Sequence, residues 1–162
     1  MSKVQVAIMM GSESDATVMA EAAQLLRELG VTCEMRVLSA HRTPKDVVEY
    51  VESKTTEGTQ VFICGAGGSA ALAGVVAAHT LVPVVGVPID SMGLGGLDAL
   101  LSTVQMPPGV PVAGMAIGKP GARNAALLAV RIMGLTDAPL RKKLDQYRRA
   151  QADKVLRAKV DI

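Results

Sequence analysis

Apolar residues in this chain gather in short, mostly unbroken runs, separated by longer segments in which they recur every three or four positions. The runs are Lys3–Met10 (KVQVAIMM), Val31–Leu38, Gln60–Cys64, Pro83–Val87 and Pro111–Ile117. Runs of this kind mark strands covered on both faces. Between them the period lengthens. Asp15–Leu29 places Ala16, Met19, Ala23 and Leu26 near helical spacing, and Gly30 stops it as a C-terminal cap. Pro44 to about Thr56, a small-residue segment after Ser69 running to about His79, Leu94–Val104 and Asn124–Met133 read as further helices. A final charged helix over Asp137–Lys159 carries Leu140, Leu144, Tyr147 and Val155 as its apolar stripe.

Strands alternating with helices predict the α/β class: a three-layer α/β/α sandwich on a central parallel sheet, flavodoxin-like or Rossmann-like, with a C-terminal helix added. At 162 residues, with no repeat, linker or low-complexity stretch, the chain reads as one domain over 1–162.

Charge refines this picture. No Asp, Glu, Lys or Arg occurs from Gly58 to Ile89, or again from Ala99 to Gly118. The stretch from Ala70 to Ile89 is apolar enough to imitate a membrane span. Pro83 and Pro88 break it and its flanks lack positive charge, so a small-residue helix followed by a strand is the better reading. Helices without a wet face are covered on both sides, which predicts a substantial homo-oligomer. Seventeen basic against fifteen acidic residues give a net charge of +2, too balanced to imply a nucleic acid or a membrane surface as partner. Two tyrosines, one phenylalanine and no tryptophan leave few platforms for stacking bases. Cys33 and Cys64 show no metal-ligand spacing and predict reduced thiols in a cytoplasmic protein. The N-terminus lacks the apolar region and cleavage site of a signal peptide.

In a parallel sheet, ligands sit beyond the carboxyl ends of the strands, and three chemically rich loops fall there. Gly11-Ser12-Glu13-Ser14-Asp15 follows strand one; its hydroxyls and N–H groups suit a phosphate, and Asp15 can accept from ribose hydroxyls. Read alone, Ser14 or Asp15 would simply cap a helix. Ser39-Ala40-His41-Arg42-Thr43-Pro44 follows strand two. It joins a proton-transfer group to a guanidinium that can grip an anion with two prongs. Thr43 is expected as N-cap, with Pro44 at the first helical position and Asp46 completing a capping box. Gly65-Ala66-Gly67-Gly68-Ser69 follows strand three and permits a close backbone approach to a ligand. His79, near a helix end and away from these loops, is expected to be structural. One competing pattern exists: Gly65-x-Gly67-x-x-Ala70 with Asp90 some twenty positions on imitates a dinucleotide fingerprint. It does not occupy the first strand–helix–strand unit, where that fingerprint usually lies.

Taken together, Met10-Gly11-Ser12-x-Ser14-Asp15, Ser39-Ala40-His41-Arg42-Thr43-Pro44 and Gly65-Ala66-Gly67-Gly68 resemble the N5-carboxyaminoimidazole ribonucleotide mutase family of purine biosynthesis. So do Pro83-Val84-x-Gly86-Val87-Pro88, Gln105-Met106-Pro107, and Ala116-Ile117-Gly118 with Asn124-Ala125-Ala126-Leu127-Leu128-Ala129, in the family's order across essentially the whole chain. The resemblance implies a homo-octamer without metal, nucleotide or organic cofactor. The reaction it implies moves a carboxylate from the exocyclic nitrogen to C4 of an imidazole ribonucleotide. It implies His41 as general acid/base and Ser12, Asp15 and Arg42 as substrate-binding residues, supported by Ser14, Ser39 and Ala40. Gly65, Ala66, Gly67 and Gly68 would close over the ring beside Leu72. The partner implied is the ATP-dependent enzyme that makes the N5-carboxy substrate. Two positions depart from the family pattern: Ala71 stands where relatives carry histidine and Ala73 where they carry proline. His41 is then the only candidate catalytic imidazole. A sister group that carboxylates aminoimidazole ribonucleotide directly with CO2 has lysine in place of Arg42, so Arg42-Thr43-Pro44 favours the mutase.

Overall fold

The computed structural model describes residues 3–160. Strand β1 (Val6–Met10) is buried at every position and lies inside the sheet. It pairs in parallel with β2 (Cys33–Val37) on one side and β3 (Val61–Gly67) on the other. Beyond β3 lie β4 (Val84–Ile89) and a two-residue β5 (Ala113–Gly114), giving the order β2-β1-β3-β4-β5. This is the flavodoxin-like doubly wound order.

Alternation along β1 divides the core. Val6, Ile8 and Met10 face α1 (Ala16–Glu28), α5 (Lys119–Met133) and α6 (Ala138–Leu156); Ala7 and Met9 face α2 (Pro44–Glu57) and α3 (Leu72–Ala78). Helix α4 (Leu97–Val104) lies on the second face, where Thr103 and Ala73 crowd the space a side chain at Gly86 would need. The six α-helices among the described residues thus form the two outer layers. With Phe62 the only phenylalanine, unbranched Met9, Met10 and Met19 fill much of the volume aromatic rings would otherwise occupy. Edge strand β2 is only half covered; Tyr50 Oη donates to Glu34 Oε1 at 2.6 Å, and Lys54 pairs with the same carboxylate at 3.2 Å, fastening α2 to it.

Several boundaries differ from the sequence expectation. Strand β3 runs through Gly65–Gly67 instead of stopping at Cys64, because those residues keep pairing with Val87, Pro88 and Ile89. Helix α5 starts at Lys119, five residues early, with Pro120 preset for its first turn. The expected strand Pro111–Ile117 keeps only Ala113–Gly114 as ladder. Helix α6 ends at Leu156, and Val155 points to solvent, since every position of the helix from Arg148 on is exposed. The apolar stretch after Ala70 divides into α3 and β4; among the described residues, no helix is long and apolar enough to cross a membrane.

Candidate active site

Four loops leave the carboxyl edge of the sheet side by side. The register brings Met10 level with Val37 and Gly65, so β1 and β2 end together while β3 continues two residues further. After β1 the chain makes a single 3₁₀ turn, Glu13–Asp15, closed by Asp15 N–H donating to Ser12 O at 3.2 Å. Ser14 Oγ donates to Ser12 Oγ at 3.0 Å and approaches Asp15 Oδ1 at 3.4 Å. Asp15 holds the N-cap position of α1 without a side-chain capping bond, so its carboxylate is directed to the cavity side of the turn and not to the helix. It is 5 % exposed. Burial raises its pKa; the Ser12 backbone bond, the Ser14 hydroxyl and the Arg42 guanidinium oppose that rise.

The loop after β2 is a closed turn. Thr43 N–H donates to Ser39 O at 2.9 Å, Thr43 Oγ1 donates to the same carbonyl at 3.2 Å, and Ser39 N–H donates back to Thr43 Oγ1 at 3.0 Å. Thr43 therefore spends its hydroxyl on the preceding loop and makes no side-chain cap on α2; the expected capping box with Asp46 does not form. The gain is a fixed frame for the residues within the turn. Arg42 N–H donates to Ser39 Oγ at 3.2 Å, and Arg42 Nη2 donates to Gly11 O, tying this loop to the one after β1. His41, at the crest, is exposed and lines the cavity.

After β3, Gly68 and Ala70 have φ of +60° and +34°, and Ala70 N–H closes the turn onto Gly67 O at 3.2 Å. A non-glycine residue at positive φ is strained, and Ala70 is 4 % exposed against the cavity. The loop after β4 contributes Ser91.

The resulting cavity is about 320 Å³. Ser12, Ser14, Asp15, Ser39 and Arg42 make one half polar. Ala66, Gly67, Ala70, Ala71 and Leu72 make the other half small and apolar, with Ala40 and His41 along the rim. Such a cavity is suited to a ligand with an anionic, hydroxyl-bearing end and a flat ring. Of the residues expected from sequence, Gly65 and Gly68 do not line it: Gly65 is a strand residue beneath Met19, and Gly68 lies under Met92. Gly11, Ala70, Ala71 and Ser91 line it in addition. Ser91 was legible by the same rule that picked out the other loops, since it follows a strand's carboxyl end. The dinucleotide pattern fails structurally, because Gly65 and Gly67 belong to β3 where the fingerprint requires a turn. His79 is the exposed C-cap residue of α3, outside the cavity. Among the described residues, no three His, Cys, Asp or Glu side chains converge as a metal site.

The AIR carboxylase family profile matches residues 5–154. The chain is 51% identical over 152 residues to N5-carboxyaminoimidazole ribonucleotide mutase of Escherichia coli (strain K12), covering 94% of this chain and 90% of the relative. It is 50% identical over 153 residues to the mutase of Pyrococcus horikoshii, covering 94% and 85%. Among solved structures, Treponema denticola PurE superposes with a TM-score of 0.85 at 31% identity, covering 93% of each chain.

Proposed function

Because the chain belongs to the AIR carboxylase family, we propose that it catalyses the N5-carboxyaminoimidazole ribonucleotide mutase reaction, with His41 as its general acid/base. The observation that carries this is the convergence of the loops after β1, β2 and β3 on one cavity, polar at one half and apolar at the other. Mutase relatives at about half identity along nearly the full chain support the reaction class.

The chemistry follows from the substrate. Cleaving the exocyclic N–C bond releases CO2 and leaves the electron pair on nitrogen, which needs a proton. Attack of ring C4 on CO2 then forms the new C–C bond, and C4 must lose its proton to restore the aromatic ring. One imidazole can give the first proton and take the second, since it exchanges protons near neutral pH. His41 holds that place. Arg42 grips the phosphate, Asp15 accepts from the ribose hydroxyls, and Ser12, Ser14 and Ser39 complete the polar half. Ala40, Ala66, Gly67 and Leu72 shape the space around the ring. Small apolar walls there keep water from the released CO2. The sequence requires no cofactor for these steps. The working form is a cytoplasmic homo-octamer that receives its substrate from the ATP-dependent enzyme that makes it. Its cysteines suit that compartment: Cys33 and Cys64 are free, and burial pushes the Cys64 thiol well above its ordinary range.

The test supplies purified protein with N5-carboxyaminoimidazole ribonucleotide without bicarbonate, and separately with aminoimidazole ribonucleotide plus bicarbonate. Fast product in the first arm alone is expected. Product only in the second would make the protein a direct carboxylase, and silence in both would overturn the reading. His41→Asn is expected to lower kcat by about a hundredfold or more with KM nearly unchanged.

A further inference from the structure

The half of the cavity away from Arg42 has one side-chain donor. Ala66, Gly67, Ala70, Ala71 and Leu72 bring none, and Ser91 supplies it from the loop after β4. Its placement is defined by Gly67: a Cβ built there would fall on Ser91 Oγ, 2.8 Å from Ser91 Cβ and 2.9 Å from Ile89 O. The hydroxyl therefore rests directly over the Gly67 backbone, in the space that glycine leaves open. It is exposed, and among the described residues the side-chain hydrogen bonds pass it by. Met92 leans the same way, its Cγ 3.0 Å from where a Gly68 Cβ would be. Gly93, Gly95 and Gly96, with φ of +78°, +61° and +79°, carry the chain through a turn that other residues resist.

We propose that Ser91 is a further residue of the reaction, donating its hydroxyl proton as a hydrogen bond to an oxygen of the carboxyl group in transit. This rests on the mutase reading above. Between cleavage and recapture the carbon is carried as CO2, which is neutral, small and covalently free. Recapture competes with escape through a cavity whose wall on this side is otherwise methyl groups and glycine. A donor on that wall stabilises the carboxylate charge as it declines on nitrogen and as it reforms on C4. The bonds balance without it: the N–C pair stays on nitrogen, which takes a proton from His41; a ring pair forms C4–C; and the C4 proton returns to His41. Ser91 keeps its own proton throughout.

The experiment uses the whole protein and substrate labelled with ¹³C at the carboxyl group, in buffer containing unlabelled bicarbonate. It reads the label retained in the product, and the aminoimidazole ribonucleotide released per turnover after subtracting loss in enzyme-free buffer. Ser91→Ala is expected to release several times more aminoimidazole ribonucleotide than wild type and to retain less label. Its kcat should fall about tenfold or more, the worth of a hydrogen bond to a charged group, with KM within about twofold, and Ser91→Thr should restore retention. Wild-type retention in Ser91→Ala overturns the proposal, whether or not kcat falls, because a merely structural role would slow turnover without losing label. An inactive wild type overturns the mutase reading and this proposal with it, before Ser91 is changed.

Discussion

Asp15 carries its carboxylate into a turn where it is 5 % exposed, with Ser12, Ser14 and Arg42 around it. Burial outweighs those partners and raises its pKa above the ordinary 3.8. A carboxyl group whose folded pKa lies above its unfolded one binds its proton more tightly in the folded state. It therefore supports the fold below the unfolded pKa, and that support is lost as pH rises through the folded pKa. Ionising Asp15 within that turn works against the fold, and the proposed function gives the carboxylate a ligand to bind. Asp15→Asn should then match or exceed the wild-type thermal midpoint at pH 7, with the variant's advantage fading as pH falls through the carboxylate range. Its KM for the ribonucleotide should rise about tenfold, the worth of a hydrogen bond to a charged group. Thermal melts across pH 3–7 beside steady-state kinetics check both; a large drop in midpoint at pH 7 would contradict the assignment. That such residues line one cavity was legible from sequence because they follow strand ends. Their partners were not. Thr43 had a helix N-terminus and a loop carbonyl within reach, and only the folded turn shows that it serves Ser39.

Helix α5 depends on a single absent methyl group. A Cβ at Gly121 would fall on the carbonyl oxygen of Ala116 and lie 2.7 Å from its carbon. Neither can retreat, since Met115 N–H bonds Gly86 O and Gly118 N–H bonds Pro88 O, pinning that segment to β4. Alanine there must lift the first turn of α5 from the sheet, uncovering Ala122, Ala125 and Ala126, each wholly buried. Gly121→Ala should cost about 2–4 kcal/mol, read as a lower urea midpoint, against the small gain expected from replacing glycine in a free helix. An unchanged midpoint would mean that α5 packs otherwise. The same segment shows why boundaries were the weaker part of the sequence reading. Alternation of strands and helices, and the parallel sheet it implies, followed from hydrophobic period. Gly65–Gly67 look like a loop by composition and are held as strand by pairing with β4. Pro111–Ile117 look like strand by composition, and only Ala113–Gly114 find a partner, at the sheet edge. In both places the deciding term is a neighbour far away in sequence, to which local propensity is blind.

For the whole molecule, the second charge-poor stretch leaves apolar side chains on the outside of the single chain. Helix α4 puts Leu97, Leu101 and Val104 outward at 55 %, 49 % and 47 % exposure, spaced by four and three residues and so aligned on one face. Ala99 and Thr103, on the opposite face, are buried against the sheet. An apolar stripe on an otherwise well-packed domain marks a contact surface, and the octamer proposed above would supply its cover. Light scattering should give a mass near eight times 16.8 kDa. Leu101→Lys tests the placement, because its side chain belongs to neither core cluster and the fold should survive the change. In a two-fold contact each substitution is felt twice. Removing a buried leucine forfeits about 1.5–3 kcal/mol per copy before the added charge is counted. That corresponds to about a hundredfold or more in each such association constant. The variant should therefore appear at micromolar concentration as a smaller species with an unchanged circular dichroism spectrum. An intact wild-type mass in Leu101→Lys would move the contact elsewhere, and a monomeric wild type would leave the α4 stripe without its cover.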